Sequence, residues 1–326
     1  MTGPKTSGYI PPEVKPLAPP RREPRYEDVR LASVPLDDGS TIELRFDVYQ
    51  SADQTEPGPC VVYFFGGGWM DGDYKQRTSQ KAVYIRDLVE LTDRGLTVVS
   101  ASYRLVQQAA FPACVHDAKA LIRHLKAHGP DYLIDPERIG VLGNSAGGHL
   151  AALIALTPGD ADIEGEVGDD LGADSSVAAA ALYYAPLDLL AMAGANGPRD
   201  ASGSEVDDIL APQETGLFEN TLGYDRAQHG GRSLDQLWAD GEGEQYAATL
   251  RRFSPQTHVR ADAPPLLILH GGHDALVPLS QSEDFYHALV AAGADATYLT
   301  YSRGAHGPSL GSAVDAFAYE FLISRL

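Results

Sequence analysis

Short runs with almost no polar residue punctuate this chain: Cys60-Val61-Val62-Tyr63-Phe64-Phe65, Leu96 to Ser102, the stretch at Ile139, Val177 to Tyr184, and Pro265 to His270. A strand with one wet face alternates apolar and polar residues, whereas a strand apolar throughout must be covered on both faces. Helical stretches stand between these runs: Ser79 to Arg94, Phe111 to His128 closed by Gly129-Pro130, Ala146 to Leu156, Leu279 to Ala292 and Ser309 to Leu326. Buried strands alternating with helices build a parallel sheet with helices on both sides, which places the chain in the α/β class. Ala296 to Tyr301 supplies one more strand. The front end differs. Tyr26 to Pro35 and Thr41 to Tyr49 alternate around Asp37-Asp38-Gly39, a hairpin pattern suited to an antiparallel edge.

At 326 residues, 44% of them hydrophobic, the chain reads as one large domain carrying an insertion. Residues 1–25, with repeated prolines and basic side chains, form an extended arm, which leaves room for a homo-oligomer held through it. The core then runs over 26–186 and again over 251–326. Between them 187–250, rich in Gly, Asp and Glu, reads as a cap insertion with Phe218, Trp238 and Tyr246 as candidate pocket aromatics. The acidic stretch 158–174 reads as a surface loop. No run approaches the roughly 18 apolar residues of a membrane span. The N-terminus lacks the apolar segment of a secretory signal, so a cytoplasmic location is expected. Cys60 and Cys114 lie in apolar surroundings and read as buried free thiols. A formal charge of −20 argues against nucleic acid and anionic membrane surfaces as partners.

The chemistry centres on Gly143-Asn144-Ser145-Ala146-Gly147, a G-x-S-x-G between a strand and a helix. A serine at so sharp a turn takes a strained backbone and stands clear of the sheet. Taken alone, the motif could be any strand-to-helix turn. Serine needs a base, and the base an orienting acid. Asp274 follows the strand at 265–270 and His306 follows the strand at 296–301, in the order such an elbow requires. Each lies just past a strand's carboxyl end, where open α/β sheets bind ligands. Upstream, Gly66-Gly67-Gly68 follows the strand at 60–65. The backbone N–H groups of Gly67 and Gly68, with that of Ala146, are candidates to hold an oxyanion.

The combination of Gly66-Gly67-Gly68-Trp69, Ser102-Tyr103-Arg104-Leu105, Asp135-Pro136-Glu137-Arg138, Gly143 to Leu150, Asp274-x-x-Val277-Pro278 and Gly304-Ala305-His306 resembles the α/β-hydrolase superfamily. More narrowly it is similar to esterases and lipases related to hormone-sensitive lipase and to the BD-FAE type of bacterial carbohydrate esterase. The resemblance covers roughly 40–155 and 252–326. It implies a mostly parallel eight-stranded sheet and hydrolysis of a small carboxylic ester without metal or organic cofactor. One departure stands out: Phe65 occupies the place of the usual His before the glycines. Phe65 and Trp69 are accordingly candidates to contact substrate.

Other readings attach to the same residues. Asp188 is an alternative acid, though it precedes the His-bearing strand less directly than Asp274. His270, His273 and His149 read as structural or pocket-lining, Arg104 with Asp117 as a structural ion pair, and Asp207-Asp208 as a solvated face. An arylformamidase or a peptidase would use the same triad. A hydrolase-fold receptor would have lost one of its members, and here all three residue types are present.

Overall fold

The computed structural model describes residues 22–75, 84–195, 217–307, 310 and 312–326. Its centre is a single eight-stranded sheet. The strands are β1 (Tyr26–Pro35), β2 (Thr41–Tyr49), β3 (Gly58–Phe64), β4 (Thr97–Ala101), β5 (Ile134–Asn144), β6 (Ala179–Tyr183), β7 (Leu266–Gly271) and β8 (Ala296–Tyr301). They lie in the order β1-β2-β4-β3-β5-β6-β7-β8. β1 and β2 form the expected hairpin, and β2 meets β4 antiparallel; from β4 to β8 every pairing is parallel. The runs read as wholly apolar are the inner strands, with β3, β4, β6 and β7 buried along most of their length. Edge strand β8 is only half-buried, with its last two residues exposed.

The helices are α1 (Tyr84–Leu88), α2 (Ala113–His128), α3 (Ala146–Leu156), α4 (Ala161–Glu164), α5 (Leu189–Ala195), α6 (Leu217–Thr221), α7 (Leu234–Ala239), α8 (Glu244–Arg252), α9 (Ser280–Ala292) and α10 (Ser312–Arg325). One differs from the sequence reading. The described part of the stretch 79–94 is α-helical over α1 and then tightens into a 3₁₀ helix, Val89–Arg94; residues 79–83 lie outside those described. There the Thr92 hydroxyl donates to Val89 O at 2.6 Å, three residues back, a bond that suits the tighter winding. The α-helical winding of α2 ends at His128, ahead of Gly129-Pro130, as the sequence reading has it. The chain continues as a 3₁₀ turn, Gly129–Tyr132, with Pro130 in a position that needs no N–H, and stops at Leu133 in the left-handed region.

The described part of the insertion is helical, and its ends are tied to the core. Leu187 N and Asp188 N both donate to Gln281 Oε1 on α9, Leu189 N donates to Ser254 Oγ, and Phe111 N donates to Thr221 O. Asp207-Asp208 and residues 1–21 of the arm lie outside the described residues. No helix among those described is long and apolar enough to cross a membrane.

Candidate active site

The sheet fixes the site before any side chain does. β3 and β5 are parallel neighbours with Phe64 opposite Gly143, so the glycine run after β3 and the elbow after β5 emerge side by side. This is also where the strand order reverses, since β4 lies on one side of β3 and β5 on the other. β7 and β8 end together, Gly271 opposite Tyr301. Their loops are laced by Gly272 N to Tyr301 O and His273 N to Gly304 O, both 2.8 Å. A Cβ on Gly271 would sit 2.4 Å from Gly304 O, so the two loops approach as closely as glycine permits.

Ser145 takes φ +53°, ψ −124° at the N-terminus of α3, the strained turn the motif implied. Its N–H donates to Tyr183 O at 2.8 Å, pinning the turn to β6. A Cβ on Gly147 would lie 2.0 Å from Phe64 O, and one on Gly143 2.1 Å from Gly147 O. Both glycines are therefore dictated by backbone approach.

Ser145, Asp274 and His306 converge. Ser145 Oγ lies 3.0 Å from His306 Nε2, and His306 Nδ1 lies 2.8 Å from Asp274 Oδ2. A carboxylate can only accept, so Nδ1 carries the imidazole proton and Nε2 is left to accept from the serine hydroxyl. The Asp274 side chain is wholly buried, while that of His306 keeps 17% of its surface exposed. Burial alone would raise the Asp274 carboxyl. Hydrogen bonds from His270 and His306, with the backbone N–H of Val277, hold it well below the usual carboxylate range. It is a fixed negative charge under the imidazole.

The N–H groups of Gly67, Gly68 and Ala146 have no hydrogen-bond acceptor among the described residues. The glycine loop is closed instead through its carbonyl, as Met70 N and Asp71 N donate to Gly67 O. Gly67 needs its glycine: φ is +119°, and a Cβ would meet Asp71 O at 2.0 Å.

Other sequence candidates fall away from the reacting groups. Trp69 and Phe65, expected to touch substrate, are 1% and 3% exposed and pack into the core. Trp69 meets His149 and Phe111 edge-on, and Phe65 stacks on Tyr103 at 4.2 Å. The turn that shapes the glycine loop thus turns these rings into the packed layer. Asp188 caps α5 through Ala191 N. Arg104 and Asp117 form the buried pair read from sequence, Nη2 to Oδ1 at 2.7 Å. Burial raises the Asp117 carboxyl and the Arg104 hydrogen bonds oppose that. Both cysteines are buried free thiols, pushed well up by burial. The insertion's aromatics contact one another and their own loop: Tyr224 stacks on His229, Tyr246 meets Tyr224 edge-on, and Trp238 Nε1 donates to Gly243 O.

One residue read as structural or pocket-lining, His270, and one that the sequence reading does not single out, Tyr184, stand against the triad. His270, at the end of β7, places Nε2 3.2 Å from Asp274 Oδ2. Tyr184, just past β6 with φ +37°, sets its ring against His306 at 4.4 Å. Neither sits in a spacing that a strand pattern would single out.

A parallel sheet carrying a serine elbow, an acid and a histidine after successive strands defines an α/β-hydrolase. Within that class the chain belongs to the BD-FAE family, whose sequence pattern matches residues 46–289 and so runs through the insertion. Among its relatives, the probable carboxylic ester hydrolase LipM of Mycobacterium tuberculosis is 30% identical over 73% of this chain and 46% of its own length. Esterase LipC of the same organism is 27% identical over 80% of this chain and 56% of its own. The chain thus spans about half the length of the curated relatives it matches. Among solved structures, a truncated carbohydrate esterase from gut microbiota superposes with a TM-score of 0.72 at 25% identity, covering 95% of this chain and 99% of the other. The thermophilic esterase Est2 of Thermogutta terrifontis, solved with butyrate bound, gives 0.59 at 26% identity, covering 90% and 91%.

Proposed function

We propose that this chain is a serine carboxylesterase for short-acyl esters, acetylated or feruloylated carbohydrates and small aryl esters among them. The observation that carries the reading is the unbroken relay from Ser145 Oγ through His306 to Asp274, at 3.0 and 2.8 Å. In this reading His306 Nε2 takes the hydroxyl proton as Ser145 attacks the ester carbonyl. Asp274 stabilises the imidazolium and holds its tautomer. The N–H groups of Gly67, Gly68 and Ala146 receive the oxyanion; loss of one such donor typically costs about 10²–10³ in rate. The imidazolium then protonates the departing alcohol. Water, deprotonated by His306, releases the acid from the acyl-enzyme.

Short acyl groups are favoured by the butyrate and propionate complexes of the Thermogutta esterase, and carbohydrate esters by the gut-microbiota neighbour. We read 187–250 as the cap that roofs the pocket. Its described part is tied to the layer behind the glycine loop, since Phe111 N donates to Thr221 O and the Phe111 ring packs on Trp69 and His149.

The test is Ser145→Ala against p-nitrophenyl acetate and butyrate. Turnover is expected to fall by roughly 10⁴-fold or more, with the fold retained by circular dichroism. Undiminished turnover removes the proposal. A panel of acyl lengths, acetylated sugars, N-formyl arylamines and anilides then separates ester from amide preference.

A further inference from the structure

A second cluster of chemistry-bearing side chains lies at the other end of β5 from Ser145. His124 and His128 are four residues apart on the last turns of α2, a spacing that puts both rings on one helix face. The loop after α4 brings Asp170 against them. Asp170 Oδ2 is 3.1 Å from His124 Nδ1, and Oδ1 is 3.0 Å from His128 Nε2. The three ligand atoms lie within 4.8 Å of one another.

We propose that His124, His128 and Asp170 bind a divalent transition-metal ion, zinc by preference. Two imidazoles and one carboxylate form the borderline donor set that zinc takes. Tetrahedral zinc, with bonds of about 2.0–2.1 Å, needs donors roughly 3.3 Å apart. Each imidazole nitrogen is already about that far from one carboxylate oxygen, 3.1 Å to Oδ2 and 3.0 Å to Oδ1, so zinc held by a single Asp170 oxygen needs the rings and the carboxylate to shift together. The outer partners are also in place. His124 Nε2 meets the Tyr132 hydroxyl at 3.2 Å, and His128 Nδ1 faces Asp131 Oδ2 at 3.8 Å. The Tyr132 hydroxyl can thus fix the His124 ring while Nδ1 ligates, and Asp131 sets a negative charge near His128. The site lies at the C-terminal end of α2, where the backbone dipole favours a cation. His128 is 44% exposed, so a water can complete the shell and the ion has a way in.

The ion would clasp the loop carrying Asp170 to α2, and it would leave the ester chemistry alone. Protein stripped with EDTA and titrated calorimetrically with zinc chloride should take up one ion per chain and unfold at higher temperature. The His124→Gln/His128→Gln double variant should lose both effects. Asp170→Asn, nearly the same shape, should weaken uptake at least tenfold and serves if the double variant does not fold. Hydrolysis of p-nitrophenyl acetate by either folded variant without metal should match that of the parent. Absence of saturable uptake, or uptake unchanged by these substitutions, would overturn the proposal.

Discussion

Both carboxylate oxygens of Asp274 are occupied. Oδ1 accepts from Leu276 N and Val277 N at 2.9 Å, and Oδ2 is shared by His306 and His270. His270 is itself fixed. Its Nδ1 lies 2.7 Å from Ser282 Oγ, and its Nε2 lies 3.0 Å from Val277 O as well as facing Asp274. A carbonyl can only accept, so Nε2 bears the proton and forks it between Val277 O and the carboxylate. His270 is a positioning residue in this account, acting on substrate only through Asp274 and His306. A hydrogen bond to a charged group contributes about 1.5–3 kcal/mol. His270→Leu should therefore lower kcat by roughly tenfold or more with little change in KM. His270→Gln, whose amide can still donate, should recover part of that loss. Equal kcat in parent and leucine variant would reduce His270 to packing.

At the scale of elements, the β5–elbow–α3 unit was fully legible. Gly143 and Gly147 are each required by a stereochemical fact, backbone oxygens about 2 Å from any added Cβ, and Ser145 bears the strain of a positive φ between them. Gly147→Ala tests that unit. The clash partner is Phe64 O, within the parallel pairing of β3 and β5, and cannot rotate away as a side chain would. The loss should exceed the about 1–3 kcal/mol of ordinary overpacking, read as a lowered urea midpoint, and the elbow's activity should go with it. A variant as stable as the parent would mean that the helix and strand can part without cost. The inner strands were legible for a similar reason, because burial on both faces leaves a run without polar residues. Less could be read where the determinant lies far off in sequence. Trp69 looked like a substrate contact because it follows the glycines, yet its burial depends on Phe111 and His149, which no local pattern links to it. His270, Tyr184 and the Asp170 loop owe their places to strand neighbours and to a returning chain, which spacing does not encode.

Across the whole molecule, one buried side chain joins these parts. His149, on α3 one turn after Ser145, is wholly buried between Trp69 of the glycine loop and Phe111 before α2. Its Nε2 donates to Phe253 O at 2.8 Å, where the chain returns from the insertion to the core. Burial pushes its pKa down from the ordinary 6.5 to about 4, only partly opposed by the Phe253 bond. The folded protein therefore keeps His149 neutral where the unfolded chain would protonate it. The stability tied to that neutral ring is fully present above pH 6.5 and is lost as pH falls toward 4, by about 3 kcal/mol in all. His149→Phe would leave the Phe253 carbonyl without its donor, a cost of about 1–3 kcal/mol at neutral pH, while removing the titration. Urea midpoints measured in steps from pH 7.5 to 4 should show the variant less stable at the top, the gap closing below pH 6.5 and the order reversing near pH 4. Every other acid-titrating group is common to both proteins, so the difference between the curves isolates His149. Parallel curves would mean that His149 binds its proton equally in the folded and unfolded chain, and that the joint between elbow, glycine loop and insertion does not depend on a neutral imidazole.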